Sequence, residues 1–228
     1  MYQTGEGEAS LAADELLVAV GRRPNIAGLD LEAAGVAYSP PGIEVDARLR
    51  TSNPRIFACG DVCGPYQFTH MAEYQAGIVI ANTAFRLPRR VDYRVVPWVT
   101  YTDPELGRVG LTEAEARERY RDVEVMDFRF DEIDRAVIER ETEGFVKLVT
   151  RRRRVVGATV LGAHAGELIP ELVFAMQNRA KIGALAATIH AYPTRAQVHR
   201  RAVNAYYGTK LFRPSVRRLA KFLNLVFP

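Results

Sequence analysis

Residues 51–84, TSNPRIFACGDVCGPYQFTHMAEYQAGIVIANTA, constrain the fold more than any other stretch of this 228-residue chain. Arg55-Ile56-Phe57-Ala58 has the composition of a short buried strand, and Gly60-Asp61 that of the turn closing it. From His70 onward, Met71, Tyr74, Ile78 and Ala81 recur at the spacing that puts one apolar face on a helix. A strand running into Gly-Asp lets backbone approach a ligand closely and leaves a carboxylate to accept hydrogen bonds from sugar-like hydroxyls. The stretch is a cofactor site in outline, although Asp61 taken alone is as well read as a turn carboxylate bonding its own backbone.

The rest of the chain alternates strands and helices. The length fits one large domain or two small ones, with enough chain to bury a core. Hydrophobic residues at 48% and charged residues at 25% suit a soluble globular protein, and no apolar run reaches the 18 residues of a membrane span. Residues 14–20 (DELLVAV) read as a buried strand closed by Gly21. Leu29, Leu31 and Val36 suggest a short helix or loop, and Ile43-Glu44-Val45 a brief strand. A domain boundary is expected near residues 87–92, where Pro88 ends a helix and charges cluster. Beyond it, residues 96–101, 106–111, 123–130, 145–149 and 155–161 read as strands. Thr112 and Glu115 form a capping box for a helix reaching Tyr120. Residues 167–180 make an amphipathic helix with Leu168, Leu172, Ala175 and Met176 inward. The four arginines of residues 151–154 read as the solvated tip of a hairpin, their like charge protecting a sheet edge.

Charge is unevenly placed. Residues 1–150 hold 17 basic and 25 acidic side chains, whereas residues 151–228 hold 14 and 2. The basic third lacks the aromatic interleaving and the fold signature of a nucleic-acid module, so no nucleic-acid partner is expected. Cys59 and Cys63 cannot build a disulfide framework, which fits a reducing, cytoplasmic compartment. Both are read as structural thiols, and no metal-ligand set stands out.

Five segments, in order and spacing, carry a resemblance: Ala19-Val20-Gly21-Arg22-Arg23-Pro24-Asn25, Thr51-Ser52, residues 56–62, His70-Met71-Ala72, and PWVTYTDPELGRVG at 97–110. Together they resemble the C-terminal half of the FAD-dependent pyridine nucleotide-disulfide oxidoreductases, the family of dihydrolipoamide dehydrogenase, glutathione reductase and mercuric reductase. The resemblance runs from about Asp14 to about Ala205. It implies an α/β remnant of an FAD/NAD(P)-binding domain at 1–91, an α+β dimerisation domain at 92–207 whose mixed or antiparallel sheet has helices on one side, and a basic amphipathic helix at 208–228. By the same resemblance Gly60 and Asp61 meet FAD, the Asp61 carboxylate accepts from a ribityl hydroxyl, and the helix start at His70, Met71 and Ala72 turns its amides to the flavin ring. A homodimer follows from the dimerisation domain.

His190-Ala191-Tyr192-Pro193-Thr194-Arg195-Ala196-Gln197 aligns with the family pattern H-x-H-P-T-x-x-E, whose second His is an acid/base oriented by the Glu. Tyr192 stands at that His position and Gln197 at that Glu position. A phenol titrates about three units above working pH, so Tyr192 is a poor base, and His190 matches the family's non-catalytic first His. Thr194 and Gln197 are expected to cap the helix that follows, and Tyr192-Pro193 is a candidate cis bond. The sequence has no G-x-G-x-x-G and no C-x4-C. FAD binding is therefore expected to be weak or absent in this chain alone, and NAD(P)H binding to belong to an intact homologue. The expectation is the C-terminal portion of a flavin-dependent NAD(P)H:disulfide or mercuric-ion-like oxidoreductase, inactive alone, whose FAD-binding half is separate or missing. The alternative is a non-enzymatic dimerisation module. The final helix, residues 214–227, carries Val216, Leu219, Leu223 and Val226 on one face and Arg217, Arg218 and Lys221 on the other. It is expected to pack on the dimerisation domain rather than on a membrane surface.

Overall fold

The structure, a computed structural model, describes residues 2–5 and 7–226. The chain forms two compact units, Met1–Val91 and Asp92–Pro228.

In the first unit, strands β1 (Tyr2–Thr4) and β2 (Gly7–Ala9) pair antiparallel, as do β3 (Tyr38–Ser39) and β4 (Gly42–Ile43), and helix α1 spans Thr69–Thr83. Leu31, Val36, Ile43, Ala58 and Cys63 make a small buried cluster. Its backbone is mostly irregular, so side chains satisfy much of it. The Ser52 hydroxyl donates to Gly35 O and accepts from Ala37 N at 2.8 Å each, and Asn53 Nδ2 donates to Ala34 O at 2.8 Å. Thr51 Oγ1 donates to Asn53 O and Ile56 O. Two expected strands are not formed. Residues 55–58 contribute a single bridge, Arg50 to Phe57. Residues 14–20 are extended coil, with Leu16, Leu17 and Val20 85–94% exposed. An apolar run becomes a strand through its hydrogen-bonded neighbours, and none lies beside this one among the described residues. Helix α1 buries Met71, Gln75 and Ile78, while Tyr74, expected inward, is exposed.

In the second unit, β5 (Pro97–Thr100), β6 (Leu106–Gly110), β7 (Val123–Arg129), β8 (Phe145–Arg151) and β9 (Arg154–Leu161) form one antiparallel sheet in the order β5-β6-β9-β8-β7. Register sorts the side chains into two faces. Met126, Leu148, Ala158 and Val109 lie side by side, as do Phe128, Val146, Val160 and Gly107. These rows are covered by helices α4 (Ala165–Gln177) and α6 (Gln197–Leu211), which add Leu168, Ile169, Leu172, Val198, Ala202 and Val203 to the core. The intervening row, Asp127, Lys147, Thr159, Arg108 and Trp98, forms the opposite face. Short helix α2 (Glu113–Arg119) starts from the expected capping box of Thr112 and Glu115. Helices α3 (Asp134–Glu139) and α5 (Ile182–Ala187), absent from the sequence reading, are one or two turns long. The arginine tip joins β8 to β9, two of the three inner strands, so it protects no edge. Arg151 and Arg152 pair with Asp122, and Arg151 also lies over the Tyr120 ring.

Helix α7 (Pro214–Val226) leaves Leu219, Phe222, Leu223 and Val226 43–60% exposed, so its apolar face is not packed on the unit that carries it. The expected helix end at Phe227 and the Lys221 side chain lie outside the described residues.

Candidate functional site

Each unit holds one group of the residues singled out from sequence. In the first, Gly60 and Asp61 open a 3-10 turn ending at Val62, just ahead of helix α1. Gly60 sits at φ +76°, where L side chains are strained, and a Cβ there would lie 3.2 Å from the Ala72 Cβ. Its amide donates to the fully buried Gln75 Oε1 at 2.7 Å, so the helix itself pins the turn. The Asp61 carboxylate is 45% exposed and lies 3.7 Å from Arg22 Nη1, a loose surface pair that holds it weakly. His70 is exposed, its ring stacked on Phe68 at 5.1 Å, and Met71 is buried. The amides of Met71 and Ala72 both donate to Phe68 O, at 3.0 and 3.1 Å. They close the first turn rather than standing vacant, so this helix end offers its positive pole more than two open donors. Cys59 and Cys63 are free, and burial, with Cys59 nearby, pushes the Cys63 thiol up to about 11, which suppresses its thiolate.

In the second unit, residues 188–196 connect α5 to α6. Tyr192 is 68% exposed, and its phenol is held above the ordinary value by donating to Asp134 and by the charge of that carboxylate. The Tyr192-Pro193 bond is cis. Gln197 is the first residue of α6, but the expected capping box is not formed. Thr194 Oγ1 donates to Ala191 O instead, and the helix starts after Ala196 without a side-chain cap.

Two features of this segment escaped the sequence reading. Arg195, 6% exposed, donates to Glu139 Oε2 from Nε at 3.0 Å and from Nη2 at 2.6 Å, to Glu141 O from Nη1, and to the Glu141 carboxylate. Glu171 on α4 lies between two histidines: His190 Nε2 is 3.1 Å from both carboxylate oxygens, and His199 Nδ1 is 2.9 Å from Oε2. Burial pushes the Glu171 carboxyl up, but the hydrogen bonds and charges of His199 and His190 outweigh it and leave it below its ordinary value. Glu171 and His199 are 28 residues apart, so no local motif announces the pair.

The family model for the pyridine nucleotide-disulphide oxidoreductases matches residues 2–76, and the model for their dimerisation domain matches residues 96–203. The chain belongs to the pyridine nucleotide-disulphide oxidoreductase family. It is 37% identical over 207 residues to a dihydrolipoyl dehydrogenase of Bacillus subtilis, covering 90% of this chain and 44% of that protein. It is 38% identical over 193 residues to a mercuric reductase of Staphylococcus aureus, covering 83% and 35%. Among solved structures, the HOCl-induced flavoprotein disulfide reductase RclA from Escherichia coli superposes with a TM-score of 0.80 at 32% identity, covering 86% of this chain and 46% of that one. The chain thus spans less than half the length of these members of the family. No helix among the described residues is long and apolar enough to cross a membrane.

Proposed function

We propose that this chain is the C-terminal portion of a flavin-dependent NAD(P)H:disulfide oxidoreductase, of the dihydrolipoyl dehydrogenase or mercuric reductase kind, and that it supplies one wall of the FAD site and the homodimer interface. The observation that carries the reading is the ordered pair of family matches, with Gly60, Asp61 and the start of α1 inside the first. FAD, when bound, relays two electrons between a nicotinamide and a disulfide. Gly60, kept free of a side chain by its closeness to Ala72, lets the turn lie against the cofactor. Asp61, half exposed and loosely paired, is available to accept from a ribityl hydroxyl. The positive pole of α1 favours electron density on the reduced ring. His70 and Met71 line the same helix start.

These residues fit a wall and not a cradle. The pyrophosphate needs a glycine-rich strand-to-helix turn, and the sequence contains none. The chain alone is accordingly proposed to be inactive and to hold FAD weakly or not at all. The cradle, the NAD(P)H site and the redox cysteines come from another FAD-binding half, in the reducing cytoplasm that two unpaired cysteines suit.

The test joins this chain to the FAD-binding half of a curated relative carrying the family's cysteine pair. Expected are a yellow protein whose flavin is reduced by NAD(P)H, and an Asp61→Ala variant that holds flavin roughly tenfold or more weakly. A folded but colourless hybrid sinks the proposal. The presence of Tyr192 and Gln197 at the acid/base positions favours the second reading, a dimerisation module without chemistry. That reading expects assembly to persist while flavin is never retained.

A further inference from the structure

We propose that Glu171, His190 and His199 form a binding site for a zinc-class divalent metal ion where α4, the 188–196 connection and α6 meet. The site is independent of the flavin wall and does not rest on that reading. Each residue offers one ligand atom, and the three atoms lie within 4.8 Å of one another. A tetrahedral ion with bonds of about 2.0–2.2 Å needs ligand atoms roughly 3.3 Å apart. Two of the three edges are already near that length, at 3.1 Å from His190 Nε2 to Glu171 and 2.9 Å from Glu171 to His199 Nδ1. The third edge, between the two imidazoles, is no longer than 4.8 Å and would shorten on binding.

The donor set selects the class of ion. Two imidazole nitrogens and one carboxylate oxygen suit a borderline transition ion with a fourth position left for water, whereas calcium and magnesium prefer oxygen ligands. Burial is graded across the set, with side-chain exposures of 0% for His199, 6% for His190 and 27% for Glu171. The floor is therefore dry and the ion enters past Glu171. His199 Nε2 is buried with no hydrogen-bond partner among the described residues. The Glu171 carboxylate holds the ring hydrogen on Nδ1, and Nε2, which faces no acceptor, can carry it instead when Nδ1 takes a metal. A bound ion would take the place of the N···O contacts that now join both rings to Glu171. The bound ion would tie the 188–196 connection to both helices.

The test uses the full chain stripped with chelator, titrated calorimetrically with Zn(II), and examined with Co(II) as a spectroscopic probe. Expected are one ion per chain and the visible bands of four-coordinate Co(II) without thiolate-to-cobalt charge transfer. Glu171→Gln and His190→Ala should each weaken Zn(II) binding by at least about 100-fold, the upper end of what loss of an outer-shell partner costs. His164→Ala, at an exposed histidine, should leave it unchanged. His199 is fully buried and its replacement risks the fold, so the test stands on the other two variants, with circular dichroism confirming native structure. A natively folded chain that binds no Zn(II) at micromolar concentration overturns the proposal. Unchanged affinity in Glu171→Gln and His190→Ala, or charge-transfer bands placing the ion on Cys59 and Cys63, would do the same.

Discussion

Tyr192 donates its phenol hydrogen to Asp134, and the neighbouring carboxylate disfavours the phenolate, so the group is held even further from titrating near neutrality than a free tyrosine. In the hybrid enzyme, flavin reduction by NAD(P)H should proceed normally, while thiol–disulfide turnover should lag by the roughly 10²–10⁴-fold that a positioned acid/base supplies. Tyr192→His with Gln197→Glu should recover part of that loss in stopped-flow measurement of the disulfide half-reaction, and a flat response would show that the segment serves another chemistry. Arg195 presents a different balance. It is buried, its partner carboxylates are partly solvated, and its truncation leaves three acceptors unanswered. Arg195→Met should cost about 1.5–3 kcal/mol, read from urea unfolding, less than a fully buried pair would. Glu124 links α6 to β7 by accepting from Lys210 Nζ at 2.8 Å and Tyr206 OH at 2.7 Å, and these bonds hold its carboxyl below 4.5. A depressed carboxyl stabilises the fold above its unfolded pKa, and that contribution is lost as pH falls through the folded value. Glu124→Gln should therefore destabilise by less than about 1 kcal/mol at pH 7, the group being 41% exposed, and the difference from the parent chain should vanish on acidification well below pH 4.5. A gap that persists in acid would assign the effect to packing. The residue identities at 192 and 197 were legible in the sequence. The partnership of Glu171 with His199 was not, because residues 28 apart meet only when α4 and α6 pack on one sheet face.

At the scale of elements, the 60–62 turn and helix α1 behave as one piece, since the helix pins the turn through Gln75 and crowds Gly60 with the Ala72 methyl. Gly60→Ala places a side chain at φ +76° against Ala72 and should cost about 1–2 kcal/mol in thermal or denaturant unfolding. Helix α7 behaves in the opposite way, with an apolar face open to solvent. A chain ending at Arg213 should keep the melting temperature of the second unit, and a drop of several degrees would show that the helix packs against something. The five strands of the second unit were read to within a residue or two, because alternation and turn chemistry act locally, whereas the two- and three-residue strands β1, β2 and β3 of the first unit were not, being too short to show a period. The apolar run at 14–20 misled the reading, because hydrophobicity marks a segment that wants burial without supplying the neighbour that buries it.

For the molecule as a whole, the second unit covers one face of its sheet with its own helices and still exposes Phe174 on α4 at 71% and Ile189 at 93%. In the proposed homodimer that region is the buried one, so the chain should sediment as a dimer at micromolar concentration, and Phe174→Glu with Ile189→Glu should convert it to monomer without loss of secondary structure. A monomeric parent chain would refute the assembly. The sequence by itself determined the family, the five-stranded architecture and the Gly-Asp turn before a helix, because these are written in short ordered motifs and in periodicities that depend only on neighbours along the chain. Tertiary structure alone decided that the arginine tip joins inner strands, that Thr194 does not cap α6, that Arg195 is clamped by Glu139 and Glu141, and that two histidines share Glu171. Each of those outcomes turns on which distant surfaces are brought within hydrogen-bond reach, a distance that register and helix packing set and that spacing along the chain does not.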